Sequence, residues 1–155
     1  MAKPFVKWAG GKGKLLPTLE ANLPLDFNKQ QEVTYIEPFV GGGAMLFYML
    51  EKYPNIRRII INDINLGLIN CYRTIKDNHR ALISKLSQLH NKFYELESIE
   101  EKRSLYYSLR DEYNMIPVDE RNTIRTAALF VFFNRTCFNP NRSLGFLCVV
   151  RQREI

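Results

Sequence analysis

Two kinds of apolar spacing divide this chain. Val33-Thr34-Tyr35-Ile36 and Arg57-Arg58-Ile59-Ile60-Ile61 are short runs rich in β-branched and aromatic residues, and each predicts a strand. Between them, Gly41-Gly42-Gly43 reads as a turn. Ala44 to Tyr53 suits a helix, which Pro54-Asn55 stops. Asn62-Asp63 ends the second strand. Strand, glycine turn, helix, strand and acid is the opening unit of a parallel α/β sheet.

After residue 65 the spacing becomes helical. Leu66, Ile69, Tyr72 and Ile75 recur at helix intervals, as do Leu82, Ile83, Leu86 and Leu89, with Asp77-Asn78 separating the two segments. Residues 99–115 predict a third helix with Leu105, Tyr106, Leu109 and Tyr113 on one face. A fourth, about 121–133, ends in the apolar run Ala127 to Phe133. These stripes read as core. A sheet unit (about 30–65) is therefore followed by a helical block (about 66–133). In the last stretch Pro140 to Ser143 is turn-like, Leu144 to Val150 suits a strand, and Arg151-Gln152-Arg153 is a basic tip.

A chain of 155 residues with 46% hydrophobic and 25% charged residues is an ordinary globular composition, which excludes wholesale disorder. Three scattered cysteines, Cys71, Cys137 and Cys148, argue against a disulfide framework and against structural zinc. No apolar window approaches a membrane span, and Met1-Ala2-Lys3-Pro4-Phe5 lacks a secretory core, so a soluble cytoplasmic protein is expected. The net charge of +6 is uneven: +3 over residues 1–30, −2 over 31–120 and +5 over 121–155. Two basic ends favour a polyanionic partner, since phosphate binding is driven largely by counterion release.

Four segments carry candidate chemistry. Lys7-Trp8-Ala9-Gly10-Gly11-Lys12-Gly13-Lys14 mixes three glycines, three lysines and the single tryptophan. It is not a P-loop, but its aromatic can stack on an adenine beside cations that hold a carboxylate or phosphate. Glu37-Pro38-Phe39-Val40-Gly41-Gly42-Gly43 is a strand-to-helix turn that lets a ligand sit against strand ends and a helix N-terminus. Asp63, within Asn62-Asp63-Ile64-Asn65, follows Gly41 by 22 residues. Alone it reads as a cap for the next helix; with the glycine turn it reads as an acid for ribose hydroxyls. The absence of a P-loop favours S-adenosylmethionine over ATP. The fourth segment, Phe133-Asn134-Arg135-Thr136-Cys137-Phe138-Asn139, is either a polar loop closing a helix or a set suited to phosphates, base edges and wedging between bases. Neither His79 nor His90 pairs with Cys137 by any sequence signal, so a cysteine nucleophile is not expected.

In this order, these segments resemble the Dam-type DNA adenine methyltransferases over about residues 3–139, from Lys3-Pro4-Phe5-Val6-Lys7-Trp8-Ala9-Gly10-Gly11-Lys12 to Asn134-Arg135-Thr136-Cys137-Phe138-Asn139. Leu68-Ile69-Asn70-Cys71-Tyr72 is similar to the family's helix after the ribose acid. The resemblance implies a partial Rossmann-like, S-adenosylmethionine-dependent α/β methyltransferase domain with an inserted helical target-recognition region. Residues 1–65 would bind the cofactor, 66–139 would form the recognition region, and 140–155 would be a divergent tail. The implied reaction moves a methyl group from S-adenosylmethionine to N6 of adenine in double-stranded DNA, typically within GATC, without a metal. The target base would have to leave the stack. By resemblance Trp8, Lys12 and Asp63 are cofactor ligands, with Glu37, Pro38, Phe39, Gly41 and Gly43 around the same pocket. Lys7, Arg135, Phe138 and Asn139 would meet DNA, with Phe138 as a wedge.

The chain also departs from the pattern. The family's catalytic Asp-Pro-Pro-Tyr occurs nowhere in these residues, so no catalytic residue is assigned. After Asn139 the family continues with Gly-Leu and a basic residue; here Pro140-Asn141-Arg142-Ser143 follows. A truncated or frameshifted product, inactive alone, is the expectation. The alternative is a non-catalytic DNA- or cofactor-binding module that keeps the fold.

Overall fold

The computed structural model describes residues 3–136. The element order is α1 (Leu16–Ala21), β1 (Val33–Glu37), α2 (Ala44–Lys52), β2 (Ile56–Ile61), α3 (Leu66–Tyr94), α4 (Ile99–Met115) and α5 (Ile124–Thr136). The chain divides between Ile64 and Asn65 into two units.

In the first unit β1 and β2 pair in parallel, with Tyr35 beside Ile59, Ile36 beside Ile60 and Glu37 beside Ile61. Parallel strands need a crossover, and α2 supplies it. Met45, Met49, Tyr53 and Ile56 form a buried cluster, with Val33 and Tyr35 of β1 packed against it. Side chains alternate along a strand, so Thr34 and Ile36 point to the opposite face. There Ile36 and Ile60 are exposed. The sequence pattern gives no sign of α1, a short helix opened by Pro17 at its first turn. Its Glu20 collects Lys52 and the Tyr48 and Tyr53 hydroxyls of the α2 segment. The Lys52 bond, with those of the tyrosines, lowers the Glu20 carboxyl to about 2.

The second unit is helical. The predicted break at Asp77-Asn78 is a kink within α3, where Asn78 leaves helical geometry, rather than a gap between two helices. In the second half of α3 Leu82 and Leu89 are buried as expected and Ile83 is exposed, whereas in the first half the buried face is displaced from the predicted one. Leu66 is exposed, whereas Leu68, Asn70, Cys71 and Thr74 are buried. The cause is α5, whose small residues Ala127 and Ala128 are fully buried and admit polar side chains at close range. Asn70 Nδ2 donates to the Thr123 carbonyl at 2.9 Å and to Thr126 Oγ1 at 3.2 Å. Burial pushes the Cys71 thiol up to about 12, which keeps it protonated and unreactive. Phe133 of α5 meets Tyr106 and Tyr113 of α4 edge-on, and Phe132 meets Phe93 of α3. Helix α5 begins three residues later than expected and runs on through Thr136, so Asn134, Arg135 and Thr136 are helical rather than looped.

Gly67 tests this packing. A Cβ there would lie 2.9 Å from the Tyr113 hydroxyl and 3.0 Å from Phe130 Cδ2. Alanine gains about 1 kcal/mol of helix propensity over glycine. Overpacking costs about 1–3 kcal/mol, and both neighbours are buried and cannot yield freely. Gly67→Ala is therefore expected to lower the melting temperature by several degrees; an equal or higher value would contradict the close approach.

Candidate functional site

The site lies in the first unit, where the carboxyl ends of β1 and β2 meet the N-terminal segment. Ligands of open α/β sheets bind at such strand ends. A cleft of about 480 Å³ is lined by Pro4, Val6, Trp8 and Ala9 to Gly13, by Phe39 to Gly42 and Ala44, and by Asp63. That volume is of the size that holds a small-molecule ligand.

Glycine makes the turn by two different means. Gly41 (φ +51°) and Gly43 (φ +82°) adopt the left-handed conformation that side chains disfavour. Gly41 and Gly42 also make space: a Cβ on Gly41 would lie 2.8 Å from Trp8 Cδ1, and one on Gly42 would lie 3.1 Å from Trp8 Cβ. The indole therefore rests on bare backbone. Asp63 closes the other side, its Oδ2 accepting from the Gly41 amide at 2.9 Å. This bond spans the ends of β1 and β2 and fixes the acid at the cleft. The cap of α3 is Asn65, whose side chain accepts from the Leu68 amide at 3.0 Å. Asn65, rather than Asp63, thus occupies the N-cap position of α3.

Lys12 enters from the opposite side. Its ammonium pairs with Glu37 Oε1 at 2.8 Å and donates to the Phe39 carbonyl. Glu37 is 5% exposed and lies beneath the cleft rather than on its wall. Its second oxygen, Oε2, accepts from the Tyr35 hydroxyl at 2.8 Å. Burial and the adjacent carboxylate raise the Tyr35 phenol above its ordinary range, so it stays a donor.

The structure thus brings Trp8, Lys12, Phe39, Gly41 and Asp63 together around one cleft, with Glu37 behind Lys12. Pro38 is exposed and Gly43 is the N-cap of α2; neither lines the cleft. Lys7 is exposed. Arg135 is exposed in the last turn of α5, in the other unit. Cys137, Phe138 and Asn139 lie outside the described residues, as does the expected strand 144–150. Sequence reasoning placed Tyr35 on a strand and gave it no part in the site. The period-two spacing of Tyr35 and Glu37 on β1 was the signal for it.

Residues 8–144 match the family model of the D12 class N6 adenine-specific DNA methyltransferases. The chain belongs to this family of DNA-modifying enzymes. It is 44% identical over 137 residues to the type II methyltransferase M.MjaIII of Methanocaldococcus jannaschii, a match covering 88% of this chain and 46% of that protein. It is 34% identical over 137 residues to the type II methyltransferase M1.LlaDCHI of Lactococcus lactis subsp. cremoris, covering 88% and 42%. The DNA adenine methylase of Escherichia coli K12 is 30% identical over the same length, again covering 88% and 42%. The chain therefore spans less than half the length of these relatives. Among the described residues, no helix is long and apolar enough to cross a membrane.

Proposed function

We propose that the cleft binds S-adenosylmethionine and that the chain serves the transfer of its methyl group to N6 of adenine in double-stranded DNA, within GATC. The observation that carries the reading is the Asp63–Gly41 bond, which holds an acid beside a glycine turn at parallel strand ends, facing Trp8. The sheet unit is then the start of a Rossmann-like methyltransferase domain, and residues 66–139 its recognition region.

Each residue has a distinct part. Trp8 and Phe39 offer apolar faces to the adenosyl and methionyl portions. Asp63 accepts from ribose hydroxyls while the Gly41 amide steadies it. An ammonium has three donors, and Lys12 uses two on Glu37 and Phe39, which leaves capacity for the methionine carboxylate. The bound cofactor supplies a methyl group on a sulfonium. Lys7, Arg135, Phe138 and Asn139 contact DNA, whose target adenine must leave the stack to be reached.

No Asp-Pro-Pro-Tyr segment occurs in the sequence, which leaves the target amine without the family's polar and aromatic partners. The 155-residue chain is expected to bind the cofactor and not to turn over by itself, so a binding module is the second reading. Calorimetry with S-adenosylmethionine is expected to show saturable one-site binding, and a labelled methyl-transfer assay on GATC duplexes no turnover. Folded protein that fails to bind would overturn the cofactor reading. Robust methylation would overturn the inactivity.

A further inference from the structure

Lys12 has a long, flexible side chain and sits in a glycine-rich segment, so its position at the cleft must be imposed from outside. One restraint is the Phe39 carbonyl, to which the ammonium donates; the other comes from β1. Tyr35 and Glu37 share one face of the strand, because side chains two apart point the same way. The Tyr35 ring is packed against the buried Met45–Met49–Tyr53–Ile56 cluster and its hydroxyl reaches Glu37 Oε2 at 2.8 Å. Glu37 Oε1 then faces Lys12 Nζ, also at 2.8 Å. The two carboxylate oxygens have different partners, so rotation of the carboxylate would break both bonds together.

We propose that Tyr35 is a positioning residue of the cofactor pocket, orienting Glu37 so that Glu37 holds the Lys12 ammonium where it meets the amino-acid end of the cofactor. The proposal rests on the cofactor reading above. Tyr35 does not line the cleft; its effect passes through two side chains. Its phenol stays protonated well above neutral pH, so the restraint does not titrate away under ordinary conditions. A phenylalanine there would keep the ring packing and lose only the donor.

The test uses the full chain and two ligands. S-adenosylmethionine carries the amino-acid end, and methylthioadenosine keeps the adenosine and sulfur but lacks it. Tyr35→Phe is expected to weaken S-adenosylmethionine binding by roughly three- to tenfold, the range for one hydrogen bond, and to leave methylthioadenosine binding unchanged. In a Glu37→Gln background the further effect of Tyr35→Phe is expected to vanish, since both changes break the same relay. Equal weakening of both ligands would mean that Tyr35 only supports the fold, and would overturn the proposal. Unchanged S-adenosylmethionine affinity in Tyr35→Phe would overturn it as well. If wild-type protein binds neither ligand, the cofactor reading falls and takes the proposal with it.

Discussion

Replacing Asp63 by alanine is expected to weaken S-adenosylmethionine binding by about one to two orders of magnitude. Two losses combine. The ribose hydroxyls lose a charged acceptor, and hydrogen bonds to charged groups are worth about 1.5–3 kcal/mol, where about 1.4 kcal/mol is a factor of ten. The Gly41 amide also loses the carboxylate oxygen that holds it at 2.9 Å. Gly41 is buried, so losing this bond carries a cost that loosens the turn. Asp63→Asn separates the two losses. Its amide oxygen can still accept from Gly41, so the turn should hold while the charged acceptor is gone, and the affinity loss should be smaller. Calorimetric titration of the three proteins, with circular dichroism to confirm folding, decides the matter. An alanine variant within threefold of wild type would remove Asp63 from the site.

Gly41→Ala is expected to be as damaging, by geometry rather than charge. The residue has a φ of +51°, where a side chain costs on the order of 1–2 kcal/mol. The added methyl would lie 2.8 Å from Trp8 Cδ1 and 3.1 Å from Trp8 Nε1, so either the indole moves or the turn does. Movement of either changes the cleft, and at least a tenfold loss of cofactor affinity is expected. Trp8 is the single tryptophan, so its fluorescence reports the displacement directly. A shifted emission maximum in the free protein is the expected signature. Unchanged emission together with wild-type affinity would show that the glycine is not needed for the approach of the ring.

The two substitutions probe opposite sides of one turn, and the sequence reveals them unequally. The acid 22 residues beyond Gly41 is visible as a pair with the glycine turn, because strand, turn, helix and strand have lengths set by local propensity. Its role is ambiguous at that level, since an acid before a helix is also a cap. Asn65, two residues on, resolves the ambiguity, because its own side chain takes the capping bond. Nothing local distinguishes the two residues; the pairing of β1 with β2 does, by bringing the Gly41 amide within reach of Asp63.

The same limit applies to the helices. Apolar spacing locates α4 to within a residue, and its buried Tyr106, Leu109 and Tyr113 are on the expected face. For the first half of α3 the spacing points to Leu66, Ile69, Tyr72 and Ile75, and the buried residues there are instead Leu68, Asn70, Cys71 and Thr74, while Leu82 and Leu89 of the second half are buried as expected. Asn70 and Thr74 are polar, so a hydrophobicity pattern cannot find them. They are buried because α5 presents small residues, the Thr123 carbonyl and the Thr126 hydroxyl accept from Asn70, and Asn70 accepts in turn from Thr74.

Periodicity and turn chemistry by themselves determine the alternation of strand, glycine turn and helix and the helical block after residue 65, because each is encoded by neighbours within a few residues; the likeness to DNA adenine methyltransferases is carried by the motifs themselves. Which side chains share the cleft is decided only by the tertiary structure. Trp8 meets Gly41 across 33 positions, and Lys12 meets Glu37 across 25. Such contacts depend on how a terminal segment folds back over the ends of two paired strands, and that is a property of the packed chain rather than of any stretch within it.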